Sequence, residues 1–169
     1  DQITFDAGCA RFEKRMPGID ARLEIAVSPE DGTIFQRVTL ENKSQENRRV
    51  SVTGCFDAAL CDERDYAAHP TFANLFVHTE APDDHTILFS RRARDGQTHL
   101  QMAYIADPVG AGSYETDLEA LVGRTGACAR AGGIAETLSN TAGYVLNPCA
   151  ALRRTIALRG GERMQIGFA

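Results

Sequence analysis

Tryptophan is absent from the 169 residues and tyrosine occurs only four times, so a flat ring offered to a ligand must come from phenylalanine or from those few tyrosines. No apolar run is long enough to cross a bilayer. No basic segment leads into an apolar stretch as in a signal peptide, an absence that a domain cut from a longer chain would share. Cysteine is sparse and odd in number: Cys9, Cys55, Cys61, Cys128 and Cys149 form no C-x-x-C pair and mostly sit beside apolar residues. That pattern fits buried free thiols in a reducing compartment better than a secreted disulfide framework. Positive charge is short as well. A net charge of −5 and a pI near 5.4 oppose broad attraction to phosphate backbones and anionic lipid, so neither nucleic acid nor a membrane surface is an expected partner.

What the chain does have is period-two alternation. Ile19, Ala21, Leu23, Ile25 and Val27 alternate with Asp20, Arg22 and Glu24, the spacing that gives a strand one buried and one wet face. The cluster S-P-E-D-G at 28–32 follows, in which Pro29 presets a turn dihedral and Gly32 supplies a positive φ, and T-I-F-Q-R-V-T-L runs on to Leu40. An amphipathic hairpin is predicted over 19–40, a second one about the polar segment 42–47, and further strands at 3–12, 50–56, 71–79, 86–92, 99–105, 152–158 and 164–168. One short helix is predicted at 117–122, with Thr116 as its N-cap. Many short strands with almost no helix indicate an all-β antiparallel sandwich or barrel in a single domain over 1–169. The stretch 123–147, rich in Gly, Ala, Ser, Thr and Asn, is the one long irregular segment, and such loops are usually functional or disordered. The pattern of 163–169 stops within a strand, so the natural polypeptide is expected to continue.

Motifs that carry chemistry are incomplete. His69, His78, Glu80 and His85 cluster in sequence without the H-x-x-x-H spacing that sets two imidazoles on one helical face; on a strand His78 and Glu80 would merely share a side. G-x-S-x-G is absent, no local signature pairs a thiol with a histidine base, and Gly110-Ala111-Gly112 lacks the rest of a dinucleotide fingerprint. Arg91-Arg92-Ala93-Arg94 and Arg153-Arg154 could grip a phosphate or sugar hydroxyls, but solvated strand faces or ion pairs explain them as well. Glu115 and Asp117 are the tightest acidic pair, and helix capping or loop anchoring suits them better than a glycosidase pair set across a groove. Asn42-Lys43-Ser44 fits a glycosylation triplet, which matters only in a secreted eukaryotic protein. Tyr66, Phe72, Phe76, Tyr104 and Tyr114 are the rings able to stand in for tryptophan.

In order along the chain, F-D-A-G-C-A-R-F-E-K-R, I-D-A-R-L-E-I-A-V-S-P-E-D, R-V-T-L-E-N-K-S, H-P-T-F-A-N-L-F-V-H-T-E, Y-E-T-D-L-E-A-L-V-G-R and V-L-N-P-C-A-A-L-R-R-T-I-A-L-R-G-G-E are similar to the β-sandwich domain of cyclic β-1,2-glucan synthases and of cellobiose and chitobiose phosphorylases. The resemblance covers nearly the whole chain. It implies a galactose-mutarotase-like antiparallel supersandwich that packs on a separate catalytic (α/α)6 barrel, shares in dimer contacts and lends a loop to the active-site rim. It further implies no catalytic residue and no cofactor in this portion, and a place at the cytoplasmic side of a bacterial inner-membrane protein. Carried over by segment, His69 and Phe72, with Pro70 and Phe76, and Glu115, Asp117 and Arg124, with Thr116 and Gly123, are the candidate positions for contact with a β-glucan. Val122 stands where a bulkier aromatic is frequent, and 126–133 is unusually small.

Overall fold

The computed structural model describes residues 1–92, 99–123 and 134–169. Five strands open the chain: β1 (Gln2–Asp6), β2 (Cys9–Met16), β3 (Ile19–Val27), β4 (Ile34–Asn42) and β5 (Arg48–Asp57). Helices α1 (Glu63–Ala68) and α2 (Pro70–Asn74) precede β6 (Val77–Glu80), β7 (Thr86–Arg92) and β8 (His99–Ile105). The chain finishes with β9 (Ala111–Asp117), α3 (Leu118–Val122), β10 (Pro148–Leu158) and β11 (Arg163–Phe168). The fold is all-β and mostly antiparallel, as the alternation predicts. Its sheets run β1-β2-β3-β4-β11, β5-β10-β9 and β6-β7-β8. The chain divides into two compact units, one of residues 1–52, 106–111 and 154–169 and the other of 53–105 and 112–153.

In the first unit the predicted hairpin forms as expected. Val27 pairs with Ile34, Gly32 takes φ 72°, and the Ser28 N–H donates to the Thr33 carbonyl at 2.8 Å. The predicted strand at 3–12 is instead two strands, because Gly8 turns the chain between β1 and β2 with φ 84° and Asp6 pairs with Cys9. Cross-strand pairing sorts the side chains. Row after row of one face reads Ile3, Phe12, Leu23, Val38 and Ile166. The other face reads Arg11, Glu24 and Arg37, then Glu13 and Arg22, then Arg15, Asp20, Glu41 and Arg163. The apolar face is buried at β4 and β11, where Leu40, Ile166 and Phe168 join Ile156 and Leu158 in the core, each contributing about 1.5–3 kcal/mol by leaving water. It emerges into solvent toward β1.

Asn42 closes the turn that leaves β4. Fully buried, it donates through Nδ2 to the carbonyls of Glu46, Leu158 and Arg159 at 2.7, 3.1 and 3.0 Å, and accepts through Oδ1 from the Ser44 N–H and hydroxyl. An amide so enclosed offers no room for a glycan, so the triplet at 42–44 is structural. Arg154 is likewise buried, donating Nε to the Val109 carbonyl at 2.8 Å and Nη2 to the Gly110 carbonyl at 3.1 Å. Gly110 has φ 67°, and a Cβ there would stand 2.2 Å from the Thr155 carbonyl oxygen. The segment is a turn that requires glycine.

In the second unit, β6-β7-β8 covers a core containing Val77, Ile87, Phe89 and Tyr104, with Phe56 edge-on to Tyr104 at 4.9 Å. Burial raises the Tyr104 phenol pKa well above its usual 10, so the ring stays neutral core at any physiological pH. A second cluster joins Leu121, Val122, Leu138, Cys149 and Ala151. Cys9, Cys55, Cys61 and Cys149 form no disulfide; only Cys149 is fully buried, the others half-buried, and Cys128 lies outside the described residues.

The strand predicted at 71–79 is corrected to α2 followed by β6. Pro70 at the first helical position has its φ preset and its missing N–H is no loss there, so T-F-A-N starts as a helical turn. Asp62 caps α1 by accepting the Arg64 N–H at 2.9 Å. The cap of α3 is Asp117 and not Thr116: its Oδ1 accepts the Glu119 N–H at 2.9 Å.

Candidate functional site

Glu115, on β9, organises the loop 134–147. Its side chain is buried, and a buried carboxylate must have its lone pairs filled by donors. Oε1 accepts the Thr116 and Asp117 N–H groups at 3.0 and 3.2 Å and lies 3.3 Å from the Thr141 hydroxyl. Oε2 accepts the Ser139 N–H at 3.1 Å. Beside it the Thr116 hydroxyl donates to the Thr141 carbonyl at 3.1 Å. The Thr79 hydroxyl accepts the Gly143 N–H at 2.9 Å and lies 2.9 Å from the Gly143 carbonyl and 3.1 Å from the Thr116 hydroxyl, with one proton to serve either. Arg153 pins the start of the loop, donating to the Ala135 and Glu136 carbonyls at 2.9 and 2.6 Å and to the Thr53 hydroxyl at 2.8 Å. The Leu118 N–H holds its end at the Asn147 carbonyl, 2.9 Å away. Helix capping or loop anchoring is the expectation for the pair, and the structure divides the two tasks: Glu115 anchors the loop and Asp117 caps α3.

The loop so held delivers Tyr144 to the edge of β6. Tyr144 forms an antiparallel bridge with His78, and their rings lie 4.6 Å apart at 45°. His78 Nδ1 in turn stands 3.4 Å from Glu80 Oε1, so the two residues share a strand face as the spacing predicts. Across β7 and β8 the register continues the row: His78 pairs with Ser90, and Ser90 with Gln101. Tyr144 is 75% exposed. An open groove of about 350 Å³ runs beside the row, lined by Glu80, Leu88, Ser90 and Gln101 among others.

The remaining candidate positions fall elsewhere or into other work. His69 and Phe72 meet at the α1–α2 corner, rings edge-on at 6.2 Å, with Phe72 59% exposed and Phe76 and Tyr66 also open to solvent. Arg124 lies outside the described residues, as does most of 123–133. Arg91 donates through Nη1 to the Leu60 carbonyl at 2.8 Å, Ala93 and Arg94 lie outside the described residues, and the Arg153-Arg154 pair ties down backbone carbonyls. Among the described residues no group of three His, Cys, Asp or Glu side chains could hold a metal ion, and no helix is long and apolar enough to cross a membrane. Nothing in the residues around Gly143 marks the Tyr144 ring as exposed; the packed structure alone leaves it in water beside His78.

The glycosyl hydrolase 94 supersandwich domain matches residues 2–169. The chain belongs to that family. The supersandwich resemblance read from the segments is therefore borne out over the whole chain. Cyclic beta-(1,2)-glucan synthase NdvB of Rhizobium meliloti (strain 1021) is similar to it, 30% identical over 167 residues that make up 94% of this chain and 6% of that relative. The supersandwich domain thus corresponds to a small share of that protein's length.

Proposed function

We propose that this supersandwich domain is a non-catalytic accessory module that binds or orients a β-glucan beside a catalytic (α/α)6 barrel of the same, longer polypeptide, at the cytoplasmic side of a bacterial inner membrane. The observation that carries the proposal is the 30% identity over 94% of the chain to a protein named for cyclic β-1,2-glucan synthesis. The charged side chains singled out in the sequence also have structural tasks: Glu115 anchors, Asp117 caps, and Arg153 and Arg154 tie down carbonyls. Among the side chains that the second unit leaves to solvent are the rings of Phe72 and Tyr144, and exposed rings flanked by polar groups suit sugar faces. Titration of the chain with β-1,2-, β-1,3- and β-1,4-linked glucan oligomers, followed by backbone amide shifts, tests this. Saturable shifts on one face support it; flat spectra with all three at millimolar concentration overturn it.

A second reading is favoured by the first unit. Its five-stranded sheet leaves Ile3 and Phe5 61% and 76% exposed, with Val27 and Ile34 open on the same face. An apolar groove of about 270 Å³ lies over Ile3, Phe12, Leu23 and Val38. A contiguous apolar surface of this kind marks an interaction site. In this reading the domain is an interface piece with no sugar affinity of its own, its apolar face covered by the barrel or by a second copy of the protein.

A further inference from the structure

We propose that Tyr144 and His78 form the stacking platform of a glucosyl subsite on the outward face of β6-β7-β8; this rests on the glucan-binding role proposed above and assigns it a place. Four observations converge on it. A tyrosine ring normally gains by burial, yet Tyr144 stays 75% exposed. The backbone under it is fixed: Gly143 is bonded through both its N–H and its carbonyl to Thr79, and the loop is tied further back to Glu115 and Thr116. The exposed ring is thus held in advance, and a preorganised contact loses less freedom on binding. His78 widens the surface, its ring 4.6 Å from that of Tyr144.

The third observation is the chemistry of the row. Beyond His78 come Ser90 and Gln101 by register, and Glu80 beside them. A hydroxyl and an amide each donate and accept, and a carboxylate accepts, which is what sugar hydroxyls require. The Glu80 carboxylate, next to His78, opposes an anionic ligand such as a phosphate or nucleotide. The fourth is shape. The adjoining groove of about 350 Å³, lined by Glu80, Leu88, Ser90 and Gln101 among others, is at the low end of the roughly 300–1,000 Å³ of small-ligand clefts, a size that suits a short segment of a longer chain. A β-linked glucose carries its hydroxyls equatorially and its axial C–H bonds on the two faces, so it lies flat on an aromatic ring while its rim meets polar side chains.

The test is calorimetric titration of the 169-residue chain and of Tyr144→Ala, Tyr144→Trp and Gln101→Ala with a β-1,2-linked glucotetraose and with cellotetraose. Both side chains face solvent, so the variants should melt as the parent does. The expected result is a Kd weakened about tenfold or more by Tyr144→Ala, the size of one stacking contact, and retained by Tyr144→Trp. Since the chain has no other tryptophan, Tyr144→Trp also reports by fluorescence whether sugar reaches position 144. Parent binding that is unchanged in Tyr144→Ala and Gln101→Ala, with no fluorescence shift, overturns the platform and leaves the glucan-binding role standing. No binding by the parent to either oligosaccharide overturns both.

Discussion

The carboxylate of Glu115 and the backbone N–H of Ser139, 24 residues apart, meet at 3.1 Å. Through that contact a buried strand residue governs the position of a surface loop, because the same carboxylate also takes the Thr116 and Asp117 N–H groups at the start of α3.

Removing it should therefore loosen the loop before it unfolds the protein. Glu115→Ala leaves several buried donors without an acceptor and is expected to cost about 1–3 kcal/mol. Glu115→Gln keeps the shape but offers N–H to N–H on one side, so it should lose a large part of the same stability. Urea unfolding measures the loss, and amide exchange at Ser139 should accelerate more than exchange in β7. Equal protection at Ser139 in parent and Glu115→Ala would show that the loop holds itself.

Asn42 makes a comparable claim on the first unit. Its two amide hydrogens serve three carbonyls, one hydrogen shared between two of them, so Asn42→Ala should cost about 1–3 kcal/mol. Asn42→Asp should fare no better, because it turns a carboxylate oxygen toward carbonyl oxygens in a buried turn. Thermal melts of the two variants decide it, and an Asn42→Asp protein as stable as the parent would contradict the donor assignment.

The charged face of the first sheet gives a pH dependence with a definite sign. Burial works to raise the pKa of Glu24, but the hydrogen bond and charge of Arg37, then those of Arg11, outweigh it and hold the carboxyl below its ordinary 4.5. The unfolded chain then binds the proton more readily, so this contribution is fully present above 4.5 and is lost as pH falls through the lower folded value. Glu24→Gln should accordingly narrow the gap in melting temperature to the parent as pH falls from neutral to well below 4.5. A gap independent of pH would show that the pairs with Arg37, 3.0 Å away, and Arg11 contribute nothing to folding.

Local rules settled much of the fold. The alternation of Ile19 through Val27, the turn at 28–32 and the strands 86–92 and 99–105 were all legible, because side-chain period and turn chemistry are properties of neighbouring residues. Strand preference misled at 71–76, where Phe72 and Phe76 read as β while one proline set a helical start, and held from Val77, which opens β6. The sequence also named the acidic pair and its bland roles. It could not supply the partners: Glu115 meets Ser139 and Thr141, Asn42 meets Leu158 and Arg159, and Tyr144 meets His78. Those contacts join residues far apart in the chain. Composition and period decided that this is an antiparallel β protein; only the tertiary structure decided which polar groups are consumed in buried hydrogen bonds and which rings remain in water, because burial is a property of the packed whole and not of any segment.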